Sequence, residues 1–440
     1  MKRLHIAMVA PAWLTVPAQG YGGTESVIDN LCRGLDETGV HVEFFGVEGS
    51  RTPAQRYHWT YQTEQYEHLN DPMFDAASIP LAHLLECLER IQRRGKFDLI
   101  HDHNTLFGPA VFAGRDDLPP VLHTLHGAFS SPERLAQGWN DTDPMFTALA
   151  KSKKLYFNAI SRSQANLAPM PLRKRIVAAI HHGIDVASHR VYTQKDGYFV
   201  NVGRIAADKG IHVAADVAAR LGSSLKLGGV VAGMCDVAQI KAELGAAASR
   251  FAKKADFAYF RDYVAPQWTA GAIDYLGPVG GQAKDELIGR AKAFLMPVQW
   301  DEPFGVAVLD ALVVGTPVVA MRRGSMPEII EHGVNGFLAN TPEEFARYAA
   351  RVDEIDPAAC RRSVEERFSY QVMTRHYLDT YERVVARHAP TPALSLKSSP
   401  LGMPYAGQAF YEKLSKAASK TKQALSEDLS DEFIGPQDNR

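Results

Sequence analysis

Short apolar, β-branched runs alternate with stretches of helical period along nearly the whole chain, and the series starts again near its middle. The first series is Leu4–Ala10, Val40–Val47, Phe97–His101, Val121–Leu125, Leu155–Ile160 and Ile176–Ile180. The second is Tyr198–Val202, Leu225–Val231, Ile273–Leu276, Ala293–Val298, Pro317–Ala320 and Gly336–Ala339. Parallel strands covered by helices on both faces read as continuous apolar runs, so each series predicts a doubly wound unit. The expected fold class is α/β: two Rossmann-like halves, joined near Asp185–Lys195, facing one another across a cleft. Ligands of open parallel sheets bind outside the carboxyl ends of the strands, which puts a site in that cleft.

At about 150 residues per domain, 440 residues allow two to three domains. Lys and Arg number 48 against 50 Asp and Glu, so no excess of positive charge is available to hold a nucleic acid. Cys32, Cys87, Cys235 and Cys360 are scattered without metal-finger spacing and read as free thiols of a reducing compartment, hence a cytoplasmic expectation. The longest apolar stretch, Gly305–Met321, is broken by Asp310 and followed by Arg322 and Arg323, so membrane contact is expected to be peripheral at most. Met1-Lys2-Arg3 before an apolar run has the outline of a secretory leader, but a buried first strand stopped by Pro11 is the preferred reading. Near the other end, 388–404 is rich in Pro, Ser and Thr and reads as linker, followed by a tail with a helical pattern over 406–426. That pattern suits a docking helix or a solvated tail.

Three stretches carry charge-handling chemistry. In Trp300–Leu312 a strand feeds a turn containing Pro303 and Gly305, and the apolar run that follows opens a helix whose first N–H groups lack internal partners. Glycine there lets an anion or a sugar hydroxyl approach the backbone, and the helix dipole favours negative charge. Glu302 and Asp310, about 7 to 10 Å apart along loop and helix, supply acceptors for hydroxyls at two ends of a ligand. Gly20-Tyr21-Gly22-Gly23-Thr24 follows the first strand as a second cradle, with Thr24 placed to cap a helix from Ser26. It lacks the G-x-G-x-x-G spacing of dinucleotide sites, and Glu43 and Glu48 are out of register for a ribose acid. In Gly203-Arg204 to Lys209-Gly210 two cations sit at a strand end, a guanidinium fork and a point charge suited to phosphate oxygens.

Histidines gather at two strand ends, His101-Asp102-His103 and His123–His126, which predicts an acceptor or acid–base wall with Asp102 and His103 as its candidates. Zinc is the rival for these imidazoles, but no third well-spaced ligand follows. His181-His182-Gly183-Ile184-Asp185 reads as turn structure where the halves join, and the Tyr57–Met73 stretch as a loop whose Trp59, Tyr61 and Tyr66 stack on sugars or simply pack.

In their order and placement these pieces resemble the retaining glycosyltransferases of family 4, with the GT-B fold, over roughly Lys2–Val385. The matching elements are Gly22-Gly23, the Thr124-Leu125-His126-Gly127 run, Gly203-Arg204 to Lys209-Gly210, and an E-x7-E motif seen as Glu302 to Asp310, with Asp in place of the second Glu. The resemblance implies an acceptor domain over 1–190, a donor domain over 191–367 and a last helix, 368–387, crossing back to the first domain. It implies that Arg204 and Lys209 bind the donor diphosphate, Glu302 and the backbone of Phe304, Gly305 and Val306 the hexose, Asp310 the ribose and Val279 the base, with His126 beside the sugar. The implied function is transfer of a hexose from a nucleoside diphosphate sugar, of UDP-glucose type, to a saccharide, lipid or small-molecule acceptor with retention of configuration. No tightly bound cofactor or metal is expected. A sugar-nucleotide 2-epimerase and a non-catalytic sugar-binding protein are the alternatives on the same architecture.

Overall fold

The computed structural model describes residues 3–20, 22–69, 73–130, 137–138 and 143–388, the side chains of 73 and 74 excepted. The tail beyond 388, with its expected linker and helix, lies outside them, as does Tyr21.

Both series of apolar runs form parallel sheets. The first has seven strands: β1 (His5–Val9), β2 (His41–Val47), β3 (Arg56–Tyr61), β4 (Leu99–Asp102), β5 (Val121–Thr124), β6 (Leu155–Ala159) and β7 (Ile176–Ala179), in the order β3-β2-β1-β4-β5-β6-β7. The second has six: β8 (Phe199–Val202), β9 (Leu225–Gly228), β10 (Ile273–Gly277), β11 (Phe294–Met296), β12 (Val318–Met321) and β13 (Gly336–Ala339), in the order β10-β9-β8-β11-β12-β13. In each sheet the order reverses beside its first strand, which opens a crevice at the carboxyl ends there. β1, β4, β5 and β12 are buried along almost their whole length, as expected of strands sandwiched between helices.

β3 is a correction: the aromatic stretch read as a loop begins as an edge strand. Its register with β2 pairs Phe45 with His58 and Gly46 with Trp59. Tyr57 and Trp59 stack on one another at 4.9 Å and meet Phe44 edge-on, so these rings pack on the sheet. Arg56-Tyr57-His58-Trp59-Thr60-Tyr61 has no continuous apolar run because an edge strand is covered on fewer sides. The first helix, Gly23–Glu37, also starts earlier than expected. Gly22 is its N-cap, so Thr24 sits inside the helix and caps nothing.

The last helix, Tyr370–Ala386, crosses back onto the first sheet. Phe368 belongs to the second core, whereas Tyr370, Met373, Tyr377, Tyr381 and Val384 are buried in the first. Its tyrosines complete a buried polar network: the Tyr381 hydroxyl lies 2.7 Å from His101 Nδ1, and His101 Nε2 lies 2.8 Å from Thr124 Oγ1. Thr124 donates to Asn158 at 2.5 Å, and Asn158 donates to the Tyr377 hydroxyl at 3.1 Å. A paired network of this kind avoids the cost of stranded polar groups and specifies one docking of the helix.

Two chain crossings join the halves side by side. Ile184 N donates to Phe368 O at 2.9 Å and Tyr370 N to Ile184 O at 3.0 Å. A Cβ on Gly183 would lie 2.7 Å from Tyr370 Cα, so the crossings touch because residue 183 has no side chain. Arg361 ties the first crossing down by donating to the carbonyls of Val186, His189 and Val313 at 2.8 to 3.0 Å. Glu328 spans the halves as well, accepting from the backbone N–H groups of Arg162 and Ser163 at 2.9 and 2.8 Å, with His181 Nε2 at 2.8 Å.

Candidate active site

The loop after β11 is held from beneath before it reaches the cleft. Ser325 N donates to the Glu302 carbonyl at 2.9 Å, Gly324 N to the Asp301 carboxylate at 3.1 Å, and the Ser325 hydroxyl to the Phe304 carbonyl at 2.7 Å. A Cβ at Gly324 would stand 2.3 Å from the backbone N and O of Glu302, so the clamp closes only around glycine. The loop ends at Gly305, φ 86°, which caps the helix Val306–Val313 in a left-handed conformation. Glu302 is thereby fixed at the helix entrance with only 8% of its surface exposed.

The loop after β8 reaches the same point. Gly210 adopts φ 67°, and a Cβ there would lie 2.2 Å from the Pro297 carbonyl, so the turn Ala207–Lys209 lies directly against the chain leaving β11. Lys209 Nζ forms an ion pair with Glu302 Oε2, the oxygen that also accepts from Trp300 Nε1 at 2.9 Å. Lys209 Nζ stands 5.4 Å from the centre of the Trp300 ring, a second attraction that fixes the ammonium. Arg204 points its fork at two protein carboxylates, Asp256 at 2.8 and 3.1 Å and Asp208 at 2.9 and 3.2 Å.

These groups border a cavity of about 500 Å³ between the halves. Gly22 and Gly23 face it from the first half; Arg204, Lys209, Val279, Glu302, Gly305, Val306 and Asp310 face it from the second. The glycine loop closes over the cavity: a Cβ on Gly280 would meet Gly20 Cα at 3.1 Å, contact that larger residues would hold apart. Asp310, expected as an acceptor for ribose hydroxyls, is paired with Lys284 at 2.9 Å. Burial works against the Lys284 charge, but Asp310 outweighs it and holds the ammonium above its ordinary pKa. Phe304 does not border the cavity. Its ring is buried at the crossing, edge-on to His182 at 4.9 Å and 5.6 Å from His181.

The histidine wall is elsewhere than expected. Asp102 is fully buried, with His123 Nδ1 2.6 Å from Oδ2 and both Asn104 N and Nδ2 donating to Oδ1. Gly108 packs so closely that a Cβ there would lie 1.9 Å from the carboxylate. Asp102 is therefore a core group, withdrawn from any acceptor. His103 is buried too, its Nδ1 2.9 Å from His126 Nε2 and its Nε2 3.2 Å from Met8 Sδ. His126 stacks between His103 and His182 with ring centres 5.2 and 5.1 Å away; it is half-buried and does not line the cavity. Burial first, and then the neighbouring imidazoles, hold His103 and His126 well below the usual histidine range, so the row is neutral at physiological pH. β4 and β5 are interior strands, and the last helix lies against them through Tyr381 on His101 and Tyr377 on Thr124.

Lys284, Asp256, Gly324 and Ser325 carry no local sequence signal for the roles they take here. Asp208 alone left a trace, four residues after Arg204 at the spacing of a local ion pair.

Two family profiles match successive parts of the chain: Glycosyltransferase Family 4 over residues 21–188 and Glycosyl transferases group 1 over residues 188–366. The chain belongs to this glycosyltransferase family. Among curated relatives, D-inositol 3-phosphate glycosyltransferase of Mycolicibacterium smegmatis is 24% identical over 69% of this chain and 72% of its own length. Spore coat protein SA of Bacillus subtilis is 29% identical, and there the match spans 22% of this chain and 28% of that protein. Solved structures share the fold: sucrose-phosphate synthase from Thermosynechococcus elongatus superposes with a TM-score of 0.65 at 17% identity, over 88% of this chain and all of that one. The Anabaena protein HepE in complex with UDP and glucose gives 0.61 at 17% identity, over 86% of this chain and all of that one. The GT-B architecture of this glycosyltransferase is thus two doubly wound α/β sheets facing a cleft, as the strand orders have it. Among the described residues no helix is long and apolar enough to cross a membrane.

Proposed function

We propose that this glycosyltransferase moves a hexose from a nucleoside diphosphate sugar, of UDP-glucose type, to an acceptor hydroxyl with retention of anomeric configuration. The observation that carries the reading is the meeting of Lys209, Glu302 and the Gly305 helix entrance on one wall of the cavity. Departure of a diphosphate builds negative charge, and an ammonium, a guanidinium and a helix amino end already in place stabilise it as it develops. These groups would do the neutralising that a metal ion does elsewhere, and no resident metal or cofactor enters the proposal. Glu302, already accepting from Lys209 and Trp300, keeps a second oxygen for sugar hydroxyls. Val279 borders the cavity at the place proposed for the base, and the Asp310–Lys284 pair at the place proposed for the ribose. HepE's complex with UDP-glucose supports the donor type.

Arg204 begins clasped by Asp208 and Asp256, so the proposal has it exchange one of these carboxylates for phosphate oxygens. Retention requires the acceptor hydroxyl to attack from the face the diphosphate leaves, with a phosphate oxygen taking its proton. A second cavity of about 240 Å³, bounded by Phe129, Ser130 and Trp300, supports acceptor entry from the first half. His126, 2.9 Å from His103 and 3.4 Å from His182, keeps its proposed place on the sugar's side of the first half.

A nucleotide-release assay over UDP, GDP and ADP sugars, with and without acceptor, tests the reading, and proton NMR of the product gives the anomeric outcome. Acceptor-dependent release with a retained anomer is expected. Conversion of the donor sugar without acceptor would mean an epimerase; binding without release from any donor would mean a binding protein; and an inverted product would overturn the retention.

A further inference from the structure

The loop that carries Glu302 has a second side. Glu302, Gly305 and Val306 face the larger cavity, whereas Trp300, Asp301 and Pro303 face the smaller one of about 240 Å³. One loop is therefore the wall shared by both. From the first half the smaller cavity is bordered by Phe129 and Gln164. Gln164 Nε2 donates to the carbonyls of Leu125 and Gly127 at 2.9 and 2.5 Å, and its Oε1 accepts from Ile160 N at 2.8 Å. Its amide thus holds the chain that leads to Phe129.

Two features of this cavity point to a ligand. The first is charge left over. Asp301 and Arg323 are both exposed on its border. Asp301 Oδ1 accepts from Gly324 N at 3.1 Å, and Arg323 Nη1 donates to the Gln299 carbonyl at 2.8 Å. Each side chain is pinned by one backbone group, and among the described residues neither has an ion-pair partner. In the larger cavity, by contrast, Lys209 is paired with Glu302, Lys284 with Asp310 and Arg204 with Asp208. The second feature is the aromatic wall. The Trp300 ring is fixed by its Nε1 bond to Glu302 Oε2 at 2.9 Å and by Lys209 Nζ, 5.4 Å from the ring centre. Phe129 and Pro303 add apolar surface beside it.

We propose that this cavity binds the acceptor, and that the acceptor is a neutral sugar ring lying on Trp300 with its hydroxyls shared between Asp301 and Arg323. The inference rests on the glycosyl-transfer reading above and supplies its second substrate. A pyranose carries weakly positive C–H hydrogens on its faces and hydroxyls round its edge. The faces suit the negative face of an indole, and the edge suits a carboxylate that accepts beside a guanidinium that donates. The cavity is smaller than the roughly 300–1,000 Å³ that takes a drug-sized ligand, which leaves room for one ring and not for an alkyl chain. The charges of Asp301 and Arg323 cancel, so a phosphate or carboxylate on the acceptor meets no net attraction. Because Trp300 is bonded to Glu302, the same loop places both sugars.

Saturation-transfer NMR of the full chain in the presence of UDP tests this, with methyl glycosides of glucose, galactose, mannose and N-acetylglucosamine as probes. At least one should bind saturably, with transfer strongest to the C–H protons of one ring face. Asp301→Asn keeps an oxygen for Gly324 N but loses the charge, and should weaken that probe about tenfold. Trp300→Leu should do the same, whereas Trp300→Phe, which keeps a ring to stack on, should stay within a few-fold of the parent; thermal unfolding is the folding control. Octyl glucoside below its micelle threshold and glucose 6-phosphate test the class. Tighter binding through the octyl chain would mean a lipid acceptor, and through the phosphate an anionic one, and either would overturn the neutral sugar. So would the absence of saturable binding by every probe, or binding unmoved by Asp301→Asn and Trp300→Leu. UDP affinity in the same samples separates the two readings: failure of UDP to bind counts against the donor assignment, and UDP binding without any response from the probes counts against the acceptor cavity alone.

Discussion

Lys209 and Glu302 lie 93 residues apart in the chain and form an ion pair at the mouth of one helix. Each arrives on its own loop, after β8 and after β11, and each loop is held in place through a glycine that no other residue replaces without a clash, Gly210 in one case and Gly324 in the other. The pair is 17% and 10% exposed, so little water screens it and its charges are ordered before any ligand enters.

Removing either cation should therefore cost turnover and not folding. Lys209→Ala and Arg204→Ala are each expected to lower kcat by about 10²- to 10³-fold, or roughly 2.7–4 kcal/mol of barrier. Nucleotide release measures this, with unfolding midpoints as the control. Turnover within a few-fold of the parent in either variant would remove that cation from the reaction.

Gly305 tests the helix entrance. With φ 86° and the place of a Cβ only 2.9 Å from Met326 Cε, Gly305→Ala should lose about 1–3 kcal/mol of stability. Urea unfolding reads it out, and an unchanged midpoint would show the turn able to relax.

Gly34 sits in the first helix, where alanine ordinarily gains about 0.5–1 kcal/mol. Here a Cβ would lie 2.0 Å from Thr374 Oγ1 on the last helix. Overpacking of this kind typically costs about 1–3 kcal/mol and should win, so Gly34→Ala is expected to lower stability. Thermal unfolding decides the sign; a gain would mean that the returning helix yields easily.

Glu25 gives a pH signature. Burial pushes its carboxyl up, a backbone hydrogen bond pulls it back, Glu64 adds to the rise, and the result is about 7 against an ordinary 4.5. Below the ordinary value both folded and unfolded chains keep the proton, and folding is unpenalised. As pH climbs from 4.5 through 7 the unfolded chain ionises first, so stability falls, by about 3 kcal/mol at the limit. Glu25→Gln removes the titration. Its stability relative to the parent should be greater at pH 8 than at pH 4.5, and an equal difference at both would show the carboxyl to be solvated.

The sequence by itself determined the two sheets, since buried parallel strands must be apolar throughout: every expected run, from Leu4–Ala10 to Gly336–Ala339, overlaps an observed strand. β3 escaped because an edge strand needs no such run. The glycine at the helix entrance and the cations after β8 were legible for a related reason, because backbone conformation and charge type are written locally. Partnership was not. That Arg204 is clasped by Asp256, that Asp310 is held by Lys284, and that Asp102 and His103 turn into the core depend on distances between segments remote in the chain. Electrostatic and hydrogen-bond energies fall off within a few ångströms, so only the folded arrangement decides which of many available charges face a ligand and which face each other.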